Sequence, residues 1–262
     1  MDSLVPRLPR LWRLAPLTLA LVAWESCARR SPNVKFLFGM PSLVASSLVA
    51  DIFRGSLGLD ISITAVETLC GLVLGSIVGT CAGLALWLSA EVARFARPYV
   101  LGVGAVPIFA IAPMTVIWFG TGLVAKVMMA TLSTIFVAFA QAYEGARNVD
   151  SDLISLLKSL GASRTQTLSK VVFPSAVAWV IVSCRLNVGF AVLGAFMGEF
   201  ISSDRGLGHY ILKASGLYQV PRVLAGVLCI VALSLVLSWV ISRVERLLMP
   251  WRFQPIVIED KL

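Results

Sequence analysis

Charge is what this chain has least of. Only 14% of its 262 residues are charged and 58% are hydrophobic, whereas a soluble domain carries roughly 25% charge. The mean hydropathy of +0.89 belongs to a protein whose solvent is largely lipid. Histidine is nearly absent as well. His209 stands alone, which excludes H-E-x-x-H and His-rich metal sites and reads as a polar residue of an outer loop. No G-x-x-x-x-G-K-[ST] occurs, so the chain holds no ATP through a P-loop of its own. Cys27, Cys70, Cys81, Cys184 and Cys229 form no C-x-x-C pair and read as small apolar packing residues. The net charge of +8 is not gathered on a soluble face, which argues against nucleic acid as a partner. No cluster of ionisable groups at one depth supports a membrane-embedded enzyme.

What is present is a set of long apolar runs, and a span needs about 20 such residues. Residues 98–125, 127–143 and 223–242 contain no charge; 61–90 contains only Glu67, and 171–198 only Arg185. These predict spans over about 61–88, 98–119, 123–143, 171–198 and 222–242. A sixth run, 14–28, is short and carries Glu25. Arg7, Arg10 and Arg13 would suit a signal peptide, but no A-x-A-like site follows, which favours a retained first helix. With the N-terminus inside, the inner segments hold 3, 2, 4 and 4 Lys/Arg and the outer ones 4, 0 and 3. That bias puts both termini in the cytoplasm. The expected organisation is a first span and outer-surface segment over 1–60, a transmembrane domain over 61–246 and a tail over 247–262.

The outer segment after the first span contains a helical, polar-faced run from Pro41. It is too short to span, and lies on the membrane surface or packs on the bundle. Gly71, Gly75, Gly79 and Gly83 follow at i, i+4 spacing, a smooth ridge for close helix packing. Pro98, Pro107 and Pro113 mark the next span, where each removes a backbone donor.

Residues 144–170 are polar and helix-prone between two spans, so they are presented to a partner. Asp150-Ser151-Asp152 is a helix start. Leu153, Leu156, Leu157 and Leu160 then form one apolar face, expected to pack inward on the spans. Gly161 is placed to end that helix in the left-handed conformation. Ser163 is placed to cap a second short helix through Lys170. The segment thus predicts two helices meeting at an outward Gly-Ala-Ser elbow.

The pattern resembles type I ABC-importer permeases. In their coupling loop, E-A-A-x3-G-x9-I-x-L-P, this chain reads Ser155-Leu156-Leu157, three residues, Gly161, nine residues, then Val171-x-Phe173-Pro174. The glycine, the spacing and the proline match; the E-A-A does not. Further matches run in order: Val106-Pro107-x5-Pro113-x3-Ile117-Trp118-Phe119-Gly120, Gly145-x-Arg147-x-Val149-Asp150, Lys158-Ser159-Leu160-Gly161-Ala162-Ser163, and Gly198-Glu199-Phe200-Ile201 with Gly206-Leu207-Gly208. Within that group the chain is most similar to the nitrate, taurine and alkanesulfonate branch. The resemblance implies an all-α membrane protein of about six transmembrane helices with a cytoplasmic two-helix coupling loop, in a bacterial inner membrane. It also implies two copies of an ABC ATPase, a second and identical permease subunit and a periplasmic solute-binding protein. No cofactor is expected in this chain, since ATP and Mg would bind the ATPase. Leu157, Lys158, Leu160, Gly161, Ala162 and Ser163 would contact that ATPase.

Arg185 and Glu199 are fourteen residues apart, so they share a helix face with Gly189, Val192 and Phe196. An intramembrane charge faces protein or water. One reading is a translocation path in which Arg185 attracts an anion; the other is an interface-anchored Arg185. The family branch favours a small anion as cargo, with a pyrimidine or vitamin precursor as the alternative. A secondary transporter is the reading outside the family, but it wants charged relays in several spans.

Overall fold

The computed structural model describes residues 15–89, 91–96, 102 and 106–249, and every regular element among them is helical. In order these are α1 (Ala15–Arg30), α2 (Pro32–Phe38), α3 (Pro41–Arg54), α4 (Leu57–Trp87), α5 (Ile108–Phe119), α6 (Leu123–Arg147), α7 (Ser151–Ser159), α8 (Arg164–Thr167), α9 (Phe173–Ile201), α10 (Leu207–Gly216) and α11 (Val220–Leu248). The all-α membrane fold expected from composition is the fold found. Four continuous helices are long and apolar enough to cross a bilayer: Leu57–Trp87, Leu123–Arg147, Arg164–Ile201 and Val220–Leu247. Helices α2 and α3 together form a further apolar pair, bent by 44°. Helix α1 has 16 residues and α5 has 12. Arg7, Arg10, Arg13, Pro98 and the tail beyond Met249 lie outside the described residues.

A triangle of α4, α6 and α9 is the centre of the bundle. The glycine ridge of α4 closes on α6 rather than on another chain. A Cβ at Gly71 would meet Ala130, at Gly75 Thr134, at Gly79 Ala138 and at Gly83 Ala142. Both ridges advance by four residues in the same direction, so α4 and α6 run parallel with their backbones in contact. Lipid tails are as apolar as leucine, so this close approach supplies the dispersion contacts that hold the pair together. The Thr134 hydroxyl adds a 3.4 Å bond to the Gly71 carbonyl. On the other side, Gly194 and Gly198 of α9 rest on Ala130 and Lys126 of α6, and Gly145 rests on Trp179. These pairs run in opposite order, so α9 is antiparallel to α6.

Helix α3, expected on the membrane surface or against the bundle, packs on α11 and α4. Its Asp51 accepts the Tyr210 hydroxyl at 2.7 Å and pairs with Arg222 at 3.0 Å. Burial, then the Asp51 carboxylate, pushes the Tyr210 hydroxyl above its ordinary range; it therefore remains a donor and fastens α10 to α3.

Topology has a direct check. In a chain freed of native cysteines, a Cys at position 203 is expected to react with a membrane-impermeant thiol reagent from outside. One at position 163 is expected to react only after permeabilisation. The reverse pattern inverts the bundle.

Candidate coupling and translocation sites

The elbow is built from local chemistry. Helix α7 starts on Asp150, whose carboxylate accepts the Asp152 N–H at 2.9 Å. It ends where Gly161 adopts φ +75°. The Ala162 N–H returns to the Leu157 carbonyl at 3.0 Å and the Gly161 N–H to Lys158 at 2.9 Å. That pair of bonds is a Schellman motif. Ser163 then caps α8 reciprocally: its hydroxyl accepts the Gln166 N–H at 3.2 Å, while the Gln166 side chain accepts the Ser163 N–H at 2.8 Å. Leu157, Lys158, Leu160, Gly161, Ala162 and Ser163 are thus held on one turn, capped from both sides.

Two expectations for this segment change. The leucine face does not pack inward: Leu153, Leu156 and Leu160 are 48%, 56% and 74% exposed. Helix α7 projects from the bundle and touches little beyond α8. The second helix does not stop at Lys170 either. Through a π turn, Leu168–Val172, α8 runs on into α9. The reason is Pro174, which has no N–H and would crowd the carbonyl four residues back. The wider turn, closed by the Phe173 N–H on Leu168, moves that carbonyl aside. The elbow therefore joins a membrane span with no loop between.

The stripe expected on α9 divides. Arg185 and Gly189 are exposed, Phe196 is half-buried, and Val192 and Glu199 are buried inside the subunit. Val192 and Glu199 line no surface, because that face of α9 is covered by α4, α10 and α11. Arg185 makes no hydrogen bond or ion pair among the described residues.

Glu199 belongs instead to a network that sequence reasoning missed. Its Oε1 accepts the Thr64 hydroxyl at 2.6 Å and its Oε2 the Gly208 N–H at 2.7 Å. Thr64 in turn accepts the Leu207 N–H at 2.9 Å, and Asp60 accepts the Gly206 N–H at 2.9 Å. Two α4 side chains and one from α9 thus satisfy the first donors of α10. Any Cβ at Gly206 would overlap the Glu199 carboxylate, and one at Gly208 would lie 2.7 Å from Glu199 Cβ. This is the physical content of Gly206-Leu207-Gly208. Beside the network, Lys126 Nζ lies 3.8 Å from Glu67 Oε1. Lys126 is thus a second basic group at a span, alongside Arg185. The signal in the sequence was the period of Asp60, Thr64 and Glu67 on one helix face.

A family described as the inner membrane component of binding-protein-dependent transport systems matches residues 71–250. An ABC transporter permease protein of Haemophilus influenzae is 31% identical, covering 88% of this chain and 96% of its own length. The formylaminopyrimidine transport permease protein ThiX of Halalkalibacterium halodurans is 26% identical over 89% of this chain and 93% of its own. The aliphatic sulfonates transport permease protein SsuC of Bacillus subtilis is 27% identical over 77% and 73%. Among solved structures, an inward-facing form of the MetNI methionine ABC transporter matches with a TM-score of 0.65 at 19% identity, over 72% of this chain and 94% of that one. The chain belongs to the binding-protein-dependent transport system inner membrane component family. It is a multi-pass inner-membrane permease subunit of an ABC importer.

Proposed function

We propose that two copies of this chain form the pathway of an importer driven by two separate ATPase subunits, and that its cargo is a small sulfonate-, taurine- or nitrate-like anion delivered by a periplasmic binding protein. ATP and Mg belong to the ATPase subunits. The observation that carries the coupling role is the elbow. A rigid, doubly capped turn presents Leu153, Leu156 and Leu160 to solvent and continues without a break into α9. Exposed leucines beside a fixed turn suit a groove on a partner protein.

Arg185 supports the anion reading. It lies twelve residues from Phe173 and sixteen from Ile201, roughly 18 and 24 Å along the axis from those residues. A guanidinium at that depth faces protein or water rather than hydrocarbon. The open notch at Gly189, one turn on, has nothing within 4 Å and leaves room for a ligand. The name of one relative supports a formylaminopyrimidine-type cargo as the second reading.

The test is uptake by proteoliposomes holding the chain with its ATPase and binding-protein partners. Taurine, an alkanesulfonate, nitrate and a formylaminopyrimidine are offered in turn. Arg185→Gln is expected to lower anion uptake at least about tenfold, the loss of one close ionic contact, with assembly and basal ATP hydrolysis preserved. Unchanged uptake would make Arg185 an anchor and remove the anion reading's physical support.

A further inference from the structure

Three carboxylates and one ammonium are buried together where α4, α6, α9 and α10 meet. Asp60, Glu67, Glu199 and Lys126 are 4%, 1%, 0% and 8% exposed. The carboxylates are not equally provided for. Both oxygens of Asp60 receive donors, from Ser56 at 2.8 Å and Gly206 at 2.9 Å. Both oxygens of Glu199 do too, from Thr64 and Gly208. Neither oxygen of Glu67 has a hydrogen-bond partner. Glu67 nevertheless stands one turn along α4 from Thr64, the donor to Glu199, and Lys126, which packs on Gly198 beside Glu199, lies 3.8 Å from Glu67, beyond hydrogen-bonding distance.

A buried carboxylate without a donor, set against a second carboxylate, is the costliest arrangement such a group can take. One ammonium balances one of the pair. The groups facing Glu67 are Glu199 from α9 and Lys126 from α6. Helix α10 offers main-chain N–H groups already bonded to Glu199, Thr64 and Asp60, and Asp60 lies two turns away along α4. None supplies the missing positive charge or the missing donor. A hydrogen between the two carboxyl groups supplies both.

We propose that Glu67 and Glu199 share one exchangeable proton, and that this proton keeps α10 fastened to α4 and α9. With the proton in place, Glu67 and Glu199 hold one negative charge between them, which Lys126 balances. Glu199 then keeps its bonds to Thr64 and Gly208. When the proton leaves for solvent at high pH, two like charges face each other in a low-dielectric site. Glu199 is pushed off the Gly208 N–H, and the start of α10 loosens. The sign follows from linkage: the fastened state binds one proton more than the loosened state, so fastening weakens as pH rises. The shared proton is independent of the cargo.

The test uses the full-length chain in lipid nanodiscs and needs neither ATPase nor cargo. Infrared spectra are expected to show a protonated-carboxyl C=O band that disappears in Glu67→Gln and in Glu199→Gln, since each amide leaves one glutamate beside Lys126. Amide exchange at Gly206 and Gly208 is expected to accelerate about tenfold per pH unit beyond its intrinsic base catalysis as the band is lost. In Glu67→Gln that extra acceleration should vanish, because a neutral isostere needs no proton. Wild-type protein alone keeps the proposal open to refutation if a variant misfolds. Absence of the band in wild type overturns it, as does a band that survives in both variants. A band that Na⁺ removes at constant pH overturns it too, since the site would then take a metal ion. Exchange at Gly208 that follows only the intrinsic rate while the band titrates removes the link to α10.

Discussion

Gly161→Val is expected to leave the chain in the membrane and strip the ATPase from it. Gly161 sits at φ +75° with nothing within 4 Å of where a Cβ would stand. Steric collision therefore plays no part, and the effect is confined to the backbone. A β-branched residue in the left-handed region costs about 1–2 kcal/mol, enough to depopulate the elbow roughly 5- to 30-fold. The two bonds that close the turn, Ala162 N–H to Leu157 and Gly161 N–H to Lys158, exist only in that conformation. Losing it swings Leu160 and Ser163 off one shared surface. Membrane pull-down of the ATPase and uptake should fall together, while chain abundance and melting temperature stay near wild type. Gly161→Asn is the control, since asparagine tolerates the left-handed region and should keep most of both. Normal ATPase association and uptake in the valine variant would detach the elbow from coupling.

The fold was legible where physics is local. Four long apolar helices followed from runs with little or no charge, because the cost of a charge in hydrocarbon acts residue by residue. The elbow followed from Asp150, Gly161 and Ser163, because caps are set by neighbours within four positions. The ridge of Gly71, Gly75, Gly79 and Gly83 announced a close packing partner, but not which one. That partner, the row from Ala130 to Ala142, is itself a four-residue repeat of small residues, hidden in an apolar run where alanine is unremarkable.

Less of the candidate site was legible, for two physical reasons. A buried polar network depends on residues far apart in the chain: Thr64 meets Glu199 across 135 positions and Asp60 meets Gly206 across 146. No periodicity encodes such meetings. Helical geometry places Arg185, Val192 and Glu199 on one face. The angular stripe is real, but burial is decided by neighbouring helices, and α4 and α10 cover its outer half. The leucines of α7 show the converse. An amphipathic period says that an apolar face wants covering and is silent on whether the cover belongs to the same chain.

Gly75→Leu is expected to be the most damaging single change in the bundle. A methyl group there would already overlap Thr134 Oγ1 and lie 2.8 Å from the Thr131 carbonyl. A leucine side chain would force α4 and α6 apart over several turns. In water, hydrophobic burial could offset part of such a separation; in lipid it does not, because the alternative contacts are equally apolar. Overpacking a tight core typically costs 1–3 kcal/mol, and this site adds a clash with backbone that no rotamer avoids. Thr134 would also lose its 3.4 Å contact with the Gly71 carbonyl. Melting temperature and the yield of folded chain should both drop sharply, with Gly79→Leu close behind. Gly189→Leu is the matched control: another glycine in a span, but with nothing within 4 Å, so stability should stay within about 0.5 kcal/mol of wild type. Equal melting temperatures for the Gly75 and Gly189 variants would mean that the ridge carries no packing energy and that α4 and α6 are held together by other contacts.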